Sequence, residues 1–129
     1  MAHALGATHK LPHGLANAML LLQIIWYNRQ EEVYGQETGK RYDALGCAMV
    51  FRSSPLCEAK GIEEKLKQLK VFLGVPGSIK EWGISEEEFI KSIPGMVKNA
   101  MADFTTRSNP RTLKPEDLVR LYLESYYGI

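Results

Sequence analysis

The chain has 129 residues and a formal net charge of +1, with 16 Lys and Arg against 15 Asp and Glu. That length is typical of one domain, and a composition of 45% hydrophobic and 24% charged residues is typical of a globular protein with a core. The balanced charge excludes a general attraction to nucleic acid or to an anionic membrane. The most apolar stretch, residues 18–27, is about half the length of a membrane span and contains Gln23, so no membrane partner is predicted either.

Helical patterns dominate the chain. Residues 14–29 are apolar on nearly every side, which predicts a helix that is buried on most of its faces. Apolar residues recur at helical spacing over residues 62–73 and predict a further helix, which Gly74 and Pro76 end. Residues 42–51 are ambiguous, although their Ala and Met content favours helix.

Start signals predict three more helices in the second half of the chain. Residues 85–88 (SEEE) form a capping box, so a helix is predicted to begin there. Pro94 is predicted to open a separate helix over residues 95–104. Pro115 is predicted to open the last helix, which ends near Gly128.

No repeat, low-complexity tract or linker interrupts the chain, so residues 1–129 are predicted to form one all-α domain of five to seven helices. Two cysteines cannot provide a disulfide framework, and no signal segment opens the chain, so a cytoplasmic setting is expected. Cys47 and Cys57 lack the spacing of a zinc site and are interpreted as plain thiols.

Few charged residues have a spacing that suggests a catalytic or binding site. Arg107 and Arg111 flank a polar loop and could bind a carboxylate or phosphate, but an ordinary solvated loop is favoured. The acidic run at residues 86–88 is explained by helix capping and the helix dipole. The glycines form no phosphate-binding loop motif.

All three histidines, His3, His9 and His13, lie near the N-terminus. His9 and His13 have the spacing that places two imidazoles on one helical face, but Pro12 disfavours a continuous helix through both. A turn at Pro12 would instead present His13 at a helix start. Imidazole is the commonest side-chain ligand of first-row metals, so the residues alone leave two interpretations open: core histidines clustered by chance, or a metal or catalytic site.

The residues around these histidines are similar to a known family. Residues 1–21, MAHALGATHKLPHGLANAMLL, resemble a signature of the iron-containing (group III) alcohol dehydrogenases, in which a His-x-Met-Ala-His-x-Leu-Gly segment runs into Pro-His-Gly-x-Ala-Asn. Further similarity follows in the family's order, and residues 122–128 look most like the alcohol dehydrogenase half of bifunctional aldehyde–alcohol dehydrogenases. The other matching stretches are residues 26–28 (WYN), 73–79, 83–87 and 108–111 (SNPR).

This resemblance implies an incomplete fold. The family has a nucleotide-binding α/β domain followed by an all-helical domain of the dehydroquinate synthase-like fold, with iron and substrate in the cleft between them. Residues 1–129 match only the later part of the helical domain. The resemblance therefore implies an all-α C-terminal domain that is truncated at its N-terminus and lacks the nucleotide-binding domain, with Met1 an internal methionine of a longer parent.

The same resemblance assigns roles to two histidines. The family binds its metal through one Asp and three His, of which only the histidine of Pro-His-Gly has a match here, namely His13. His3 matches the family's non-ligand histidine beside the nicotinamide, which is thought to help in proton transfer. His3 is therefore the expected catalytic and cofactor-contacting residue, and His9 has no reliable counterpart.

The implied reaction is reversible hydride transfer between a small primary alcohol or its aldehyde, such as ethanol and acetaldehyde, and the nicotinamide of NAD. Fe(II) would act as a Lewis acid on the alcohol, and zinc is the substitute that the same ligand chemistry allows. The chain alone is expected to be inactive, to need the missing nucleotide-binding domain as a partner, and to form a homo-oligomer through apolar surface left uncovered. The alternative is a non-catalytic helical module used for interaction or assembly.

Overall fold

The computed structural model describes residues 1–30, 35–49 and 60–128, apart from the side chains of residues 35, 36 and 60. Within these ranges the protein is helical and has no strand, so the all-α prediction is confirmed. None of the described helices is long and apolar enough to cross a membrane. The elements are α1 (Ala2–His9), α2 (His13–Arg29), α3 (Gly35–Met49), α4 (Lys60–Phe72), α5 (Glu86–Ala102), a 3₁₀ helix (Phe104–Ser108) and α6 (Pro115–Tyr127).

Local sequence signals set several helix ends where they were predicted. The Ser85 hydroxyl accepts a hydrogen bond from the Glu88 backbone N–H (3.3 Å), and α5 begins directly after it. Gly74 follows α4 with a φ of 66°, and Gly128 ends α6 with a φ of 78°. Pro115 occupies the first turn of α6, where a missing N–H costs nothing.

Helix α5 runs unbroken through Pro94, so the prediction that Pro94 opens a separate helix is wrong. Proline removes the N–H that would bond to the Ile90 carbonyl, at a cost of about 3 kcal/mol in a helix interior. Pro94 lies on the exposed side, where water reaches that carbonyl, and burial of the opposite face outweighs the remaining cost. That face is one continuous apolar stripe: Phe89, Ile93, Met96, Val97 and Ala100.

The core lies between α1, α2, α5 and α6. Its largest fully buried side chains come from all four helices and include Leu5, Met19, Phe89, Tyr122 and Tyr126. The Tyr126 hydroxyl donates to the Ile84 carbonyl (2.9 Å), and the Tyr122 hydroxyl donates to the Met1 carbonyl (3.0 Å). The second bond ties the start of α1 to α6.

A part-buried polar cluster joins the end of α2 to the loop after the 3₁₀ helix. The side chains of Asn28 and Asn109 exchange two hydrogen bonds, of 3.1 and 2.7 Å. The Arg111 guanidinium stacks 3.8 Å above the centre of the Tyr27 ring and donates to the Tyr27 carbonyl (2.7 Å). The WYN and SNPR stretches therefore contact each other, and together they fix this loop against α2.

Two details of the sequence interpretation do not hold. Leu21 and Trp26 are 42% and 45% exposed, so α2 is open on one side rather than buried on most faces. Cys47, near the end of α3, is disulfide-bonded, so its interpretation as a plain thiol is wrong. Cys57 lies outside the described residues, as do positions 50–51 of the ambiguous stretch, whose other residues belong to α3.

Candidate active site

A tight turn between α1 and α2 places His13 at the first position of α2. Helix α1 ends at His9, and Lys10 follows in the left-handed conformation with a φ of 56°. Pro12, with φ −54° and ψ 133°, then precedes α2 as its N-cap residue. The predicted turn at Pro12 is confirmed, and His13 is exposed at the helix start.

The turn between α1 and α2 brings His3 and His13 together. Their rings stack with centroids 4.8 Å apart and planes inclined by 16°. The His3 side chain is 58% exposed, so the stacked pair lies at the surface. The two histidines to which the family resemblance assigns roles are therefore direct neighbours.

Asp103 is a second partner of His3 and comes from 100 residues further along the chain. Nδ1 of His3 lies 2.5 Å from Oδ2 of Asp103. The other carboxylate oxygen, Oδ1, accepts hydrogen bonds from the backbone N–H (3.0 Å) and the hydroxyl (2.8 Å) of Thr105. The bond to His3 and those to Thr105 hold the pKa of Asp103 well below its usual range, so the carboxylate is ionised at neutral pH.

His13 has the donor chemistry of one metal ligand. Its Nε2 lies 3.0 Å from the amide nitrogen of Asn17, which also donates to the His13 carbonyl (3.1 Å). An amide nitrogen can only donate, so Nε2 carries the lone pair that a metal would take. Among the residues that the structure describes, no three His, Cys, Asp or Glu side chains are grouped to hold a metal ion, so further ligands would have to come from elsewhere.

His9 is a core histidine and stands apart from the stacked pair. Its side chain is 2% exposed, its ring stacks on Phe89 at 5.7 Å, and its Nε2 pairs with the Ser92 hydroxyl at 2.9 Å. Nδ1 is buried 3.5 Å from a Glu88 oxygen, which is too long for a full hydrogen bond. The interpretation as a core histidine, considered for all three, therefore applies to His9.

The other charged residues considered from the sequence have surface or structural positions. Arg111 is engaged with Tyr27, while Arg107 is exposed. Glu86 accepts a hydrogen bond from the Tyr127 hydroxyl (2.8 Å) in the first turn of α5, as a residue near a helix start can. None of these contacts extends the His3–His13 pair.

A cavity of about 860 Å³ opens between α2, α4 and the end of α6, and no histidine lines it. Its walls combine apolar side chains such as Leu22 and Trp26 with both signs of charge, as in Lys70 and Glu81. The pKa of Lys70 is lowered, because the effect of burial is larger than the opposing effect of the nearby Glu81 charge. This mixed lining indicates no single class of ligand.

Asp103 is the residue of this site that the sequence analysis missed. Its local pattern, an acidic residue two positions before Thr105, is that of a helix cap, and the structure confirms that it caps the 3₁₀ helix. No spacing rule links it to a histidine at the other end of the chain. The signal that could have found it is the family-like stretch at residues 108–111, which follows closely.

Comparison with known proteins identifies the family. Residues 1–126 match the sequence profile of the Fe-containing alcohol dehydrogenase family, C-terminal. The bifunctional aldehyde-alcohol dehydrogenase AdhE of Escherichia coli (strain K12) is 33% identical over 140 residues, which cover 99% of this chain and 16% of that protein. The NADPH-dependent butanol dehydrogenase of Clostridium saccharobutylicum is 30% identical over 129 residues, which cover 99% of this chain and 32% of that protein.

The chain therefore belongs to the iron-containing alcohol dehydrogenase family of oxidoreductases, and it spans a third or less of the length of these relatives. Solved structures show the same fold. The iron-containing alcohol dehydrogenase of Thermococcus thioreducens has a TM-score of 0.83 at 28% identity, over 99% of this chain and 31% of that one. The alcohol dehydrogenase from Oenococcus oeni has a TM-score of 0.75 at 31% identity, over 97% of this chain and 31% of that one. The described helices match the C-terminal helical domain of this fold.

Proposed function

We propose that this single helical domain is the C-terminal part of an iron-dependent, NAD-linked alcohol dehydrogenase, in which His13 is one metal ligand and His3 is the proton-transfer residue. One observation carries the proposal: His3 stacks on His13 at 4.8 Å while Asp103 holds its Nδ1. Alcohol oxidation needs a proton acceptor beside the metal, because the hydroxyl proton leaves from an oxygen that the metal holds.

The proposed metal is Fe(II), with zinc as the substitute that imidazole and carboxylate ligands also accept. When bound, the metal supplies a Lewis acid that lowers the pKa of the alcohol. His13 would hold it through Nε2, while the Asn17 amide keeps its bond to the His13 carbonyl. Because one imidazole is a weak site by itself, we propose that the chain alone is inactive and needs the further metal ligands that the resemblance assigns to the missing N-terminal part of the protein.

His3 would receive the proton of the alcohol. Its Nδ1 is engaged with Asp103, and none of the described residues hydrogen-bonds its Nε2. As the O–H bond breaks, the proton passes to Nε2 and later to water, which the 58% exposure of the side chain permits. NAD, whose nicotinamide the family resemblance puts beside His3, would supply the hydride acceptor that oxidation of the alcohol to the aldehyde needs.

The proposed substrate is a small primary alcohol, such as ethanol, or the corresponding aldehyde. Several relatives are named for small alcohols or aldehydes, including the two above and the lactaldehyde reductase of Escherichia coli (strain K12). That reductase is 34% identical over 125 residues, which cover 95% of this chain and 30% of that protein. These names differ in the alcohol, so they support the class of substrate rather than ethanol itself.

A homo-oligomer in the cytoplasm completes the proposal. The oligomer is supported by exposed apolar side chains at the end of α4, among them Phe72 at 85% exposure. The cytoplasmic setting rests on the sequence, and the disulfide at Cys47 weighs against it because disulfides persist mainly in oxidising compartments.

The proposal is tested by comparing the 129-residue chain with a complete polypeptide that joins it to the missing N-terminal part, which carries the other metal ligands and the nucleotide-binding domain. Both are loaded with Fe(II) under argon, and ethanol-dependent NADH formation is recorded. We expect ethanol oxidation by the complete polypeptide and none by the isolated chain. Alcohol oxidation by the isolated chain would contradict the proposal that the metal site needs ligands from outside this chain. A folded, iron-loaded complete polypeptide without activity would favour the non-catalytic helical module.

A further inference from the structure

We propose that Asp103 is the positioning residue for His3: its carboxylate fixes the imidazole proton on Nδ1 and leaves Nε2 as the atom that takes the proton of the alcohol. The fixed tautomer follows from the contacts of this chain. The catalytic use of Nε2 rests on the proposed function.

The two oxygens of the Asp103 carboxylate have different partners, and these contacts hold the carboxylate in place. Oδ1 caps the 3₁₀ helix through the backbone N–H and hydroxyl of Thr105, at 3.0 and 2.8 Å. The Asp103 backbone N–H donates to the carbonyls of Asn99 (3.1 Å) and Ala100 (3.3 Å) at the end of α5. Oδ2 is thus presented to His3 from a hydrogen-bonded junction between α5 and the 3₁₀ helix, and it lies 2.5 Å from Nδ1.

An ionised carboxylate can only accept hydrogen bonds, so the atom facing Oδ2 must carry a proton. Nδ1 of His3 therefore donates, and the neutral ring has its lone pair on Nε2. The Asp103 carboxylate is 13% exposed, and its depressed pKa keeps it ionised at neutral pH. The ring also stacks against His13, which contacts it from a second side.

The proton step then balances without a further reagent. The alcohol O–H bond breaks and its proton binds Nε2, and the nicotinamide of bound NAD would supply the hydride acceptor. The resulting imidazolium carries protons on both nitrogens and gains a charge-assisted bond to Oδ2. Release of the Nε2 proton to water restores the starting tautomer.

The test replaces the carboxylate by an amide of the same shape. Asp103→Asn keeps an oxygen to cap the 3₁₀ helix, but an amide nitrogen facing His3 would donate to Nδ1 and move the imidazole proton to Nε2. The readout is the ¹⁵N spectrum of histidine-labelled 129-residue chain in mildly alkaline buffer, well above the ordinary histidine pKa of about 6.5. The His3 signals are assigned by their loss in His3→Ala.

In the unmodified chain we expect Nδ1 of His3 to have the shift of a protonated nitrogen and Nε2 that of an unprotonated one. Asp103→Asn should exchange the two. Thr105→Val is the matched control, because it removes a bond to Oδ1 and leaves Oδ2 in place, and it should not alter the tautomer. An unchanged tautomer in Asp103→Asn, or the same exchange in Thr105→Val, would overturn the inference.

The complete, iron-loaded enzyme supplies the second readout. Asp103→Asn should lower kcat by on the order of 10²–10⁴-fold, the range of a lost general base, with KM and iron content unchanged. A tautomer that switches without a fall in kcat would overturn the positioning role. If the tautomer switches in the chain but the unmodified complete enzyme oxidises no alcohol, the proposed function fails while the contact between Asp103 and His3 stands.

Discussion

Asp103 joins two structural roles in one carboxylate, since it caps the 3₁₀ helix and bonds to His3. Both roles favour the ionised form, and the pKa of Asp103 in the folded chain is accordingly depressed. A carboxylate whose pKa is lower in the folded chain than in the unfolded chain stabilises the fold at pH values above its unfolded pKa, which is about 3.9 for Asp. This contribution is lost as the pH falls from there toward the pKa of the folded chain.

We therefore expect Asp103→Asn to lower the free energy of unfolding by more at about pH 6 than at about pH 3. Urea unfolding at several pH values measures it, and Glu87→Gln shows what the loss of an exposed carboxylate at a helix start does without a histidine partner. A difference that stays constant over this pH range would contradict the account of Asp103.

The histidines divide by environment. His9 is buried against Phe89 and Ser92, whereas His13 is exposed and bonds only within its own helix turn among the described residues. His9→Ala should lower the free energy of unfolding by about 1–3 kcal/mol, because it leaves a cavity beside Phe89 and removes a hydrogen bond to the Ser92 hydroxyl. His13→Ala should change it by less than about 0.5 kcal/mol. Equal losses in chemical denaturation would mean that His13 is also a structural residue.

At the scale of elements, signals from neighbouring residues predicted most helix ends. Ser85 and Gly128 act within one turn of their helices, so the sequence records their effect directly. Pro94 misled the prediction because its local preference opposes the burial of a stripe that continues on both sides of it. The contact of Asn28 with Asn109 has no local signature, and only the family resemblance linked the two stretches.

The destabilising effect of Pro94 on α5 can be tested by substitution. Pro94→Ala should raise the free energy of unfolding by about 1–2 kcal/mol, because it restores a donor to the Ile90 carbonyl and removes part of the helix penalty of proline. Lys98→Ala, at another exposed position of α5, is the control and should have little effect. Lower stability of Pro94→Ala in urea unfolding would show that proline is favourable at this position.

At the scale of the whole molecule, the sequence predicted the fold class and the family but not how the site is assembled. The resemblance pointed to His3 and His13 one at a time, and their stacking depends on how α1 turns back onto α2. Asp103 could not be predicted because it reaches His3 only through the packing of α5 on α1, a contact across 100 residues of chain.

The end of α4 bears on the oligomeric state. Val71, Phe72 and Leu73 are 79%, 85% and 62% exposed, and contiguous apolar surface favours association. We expect the 129-residue chain to self-associate, and the double substitution Phe72→Glu and Leu73→Glu to shift it toward monomer. Sedimentation velocity measures this, with Lys65→Glu, which changes the net charge by the same amount, as a charge-matched control. A chain that sediments as a monomer before any substitution would contradict the prediction.

The central claim is that His13 holds metal while His3 moves a proton. The most direct measurement is iron content per complete enzyme, recorded beside ethanol-dependent NADH formation for His13→Ala and His3→Ala. We expect His13→Ala to lose iron and activity together, with partial recovery in excess Fe(II). His3→Ala should keep its iron and lose turnover by about 10²–10⁴-fold. Full iron content in His13→Ala, or loss of iron in His3→Ala, would contradict the assignment.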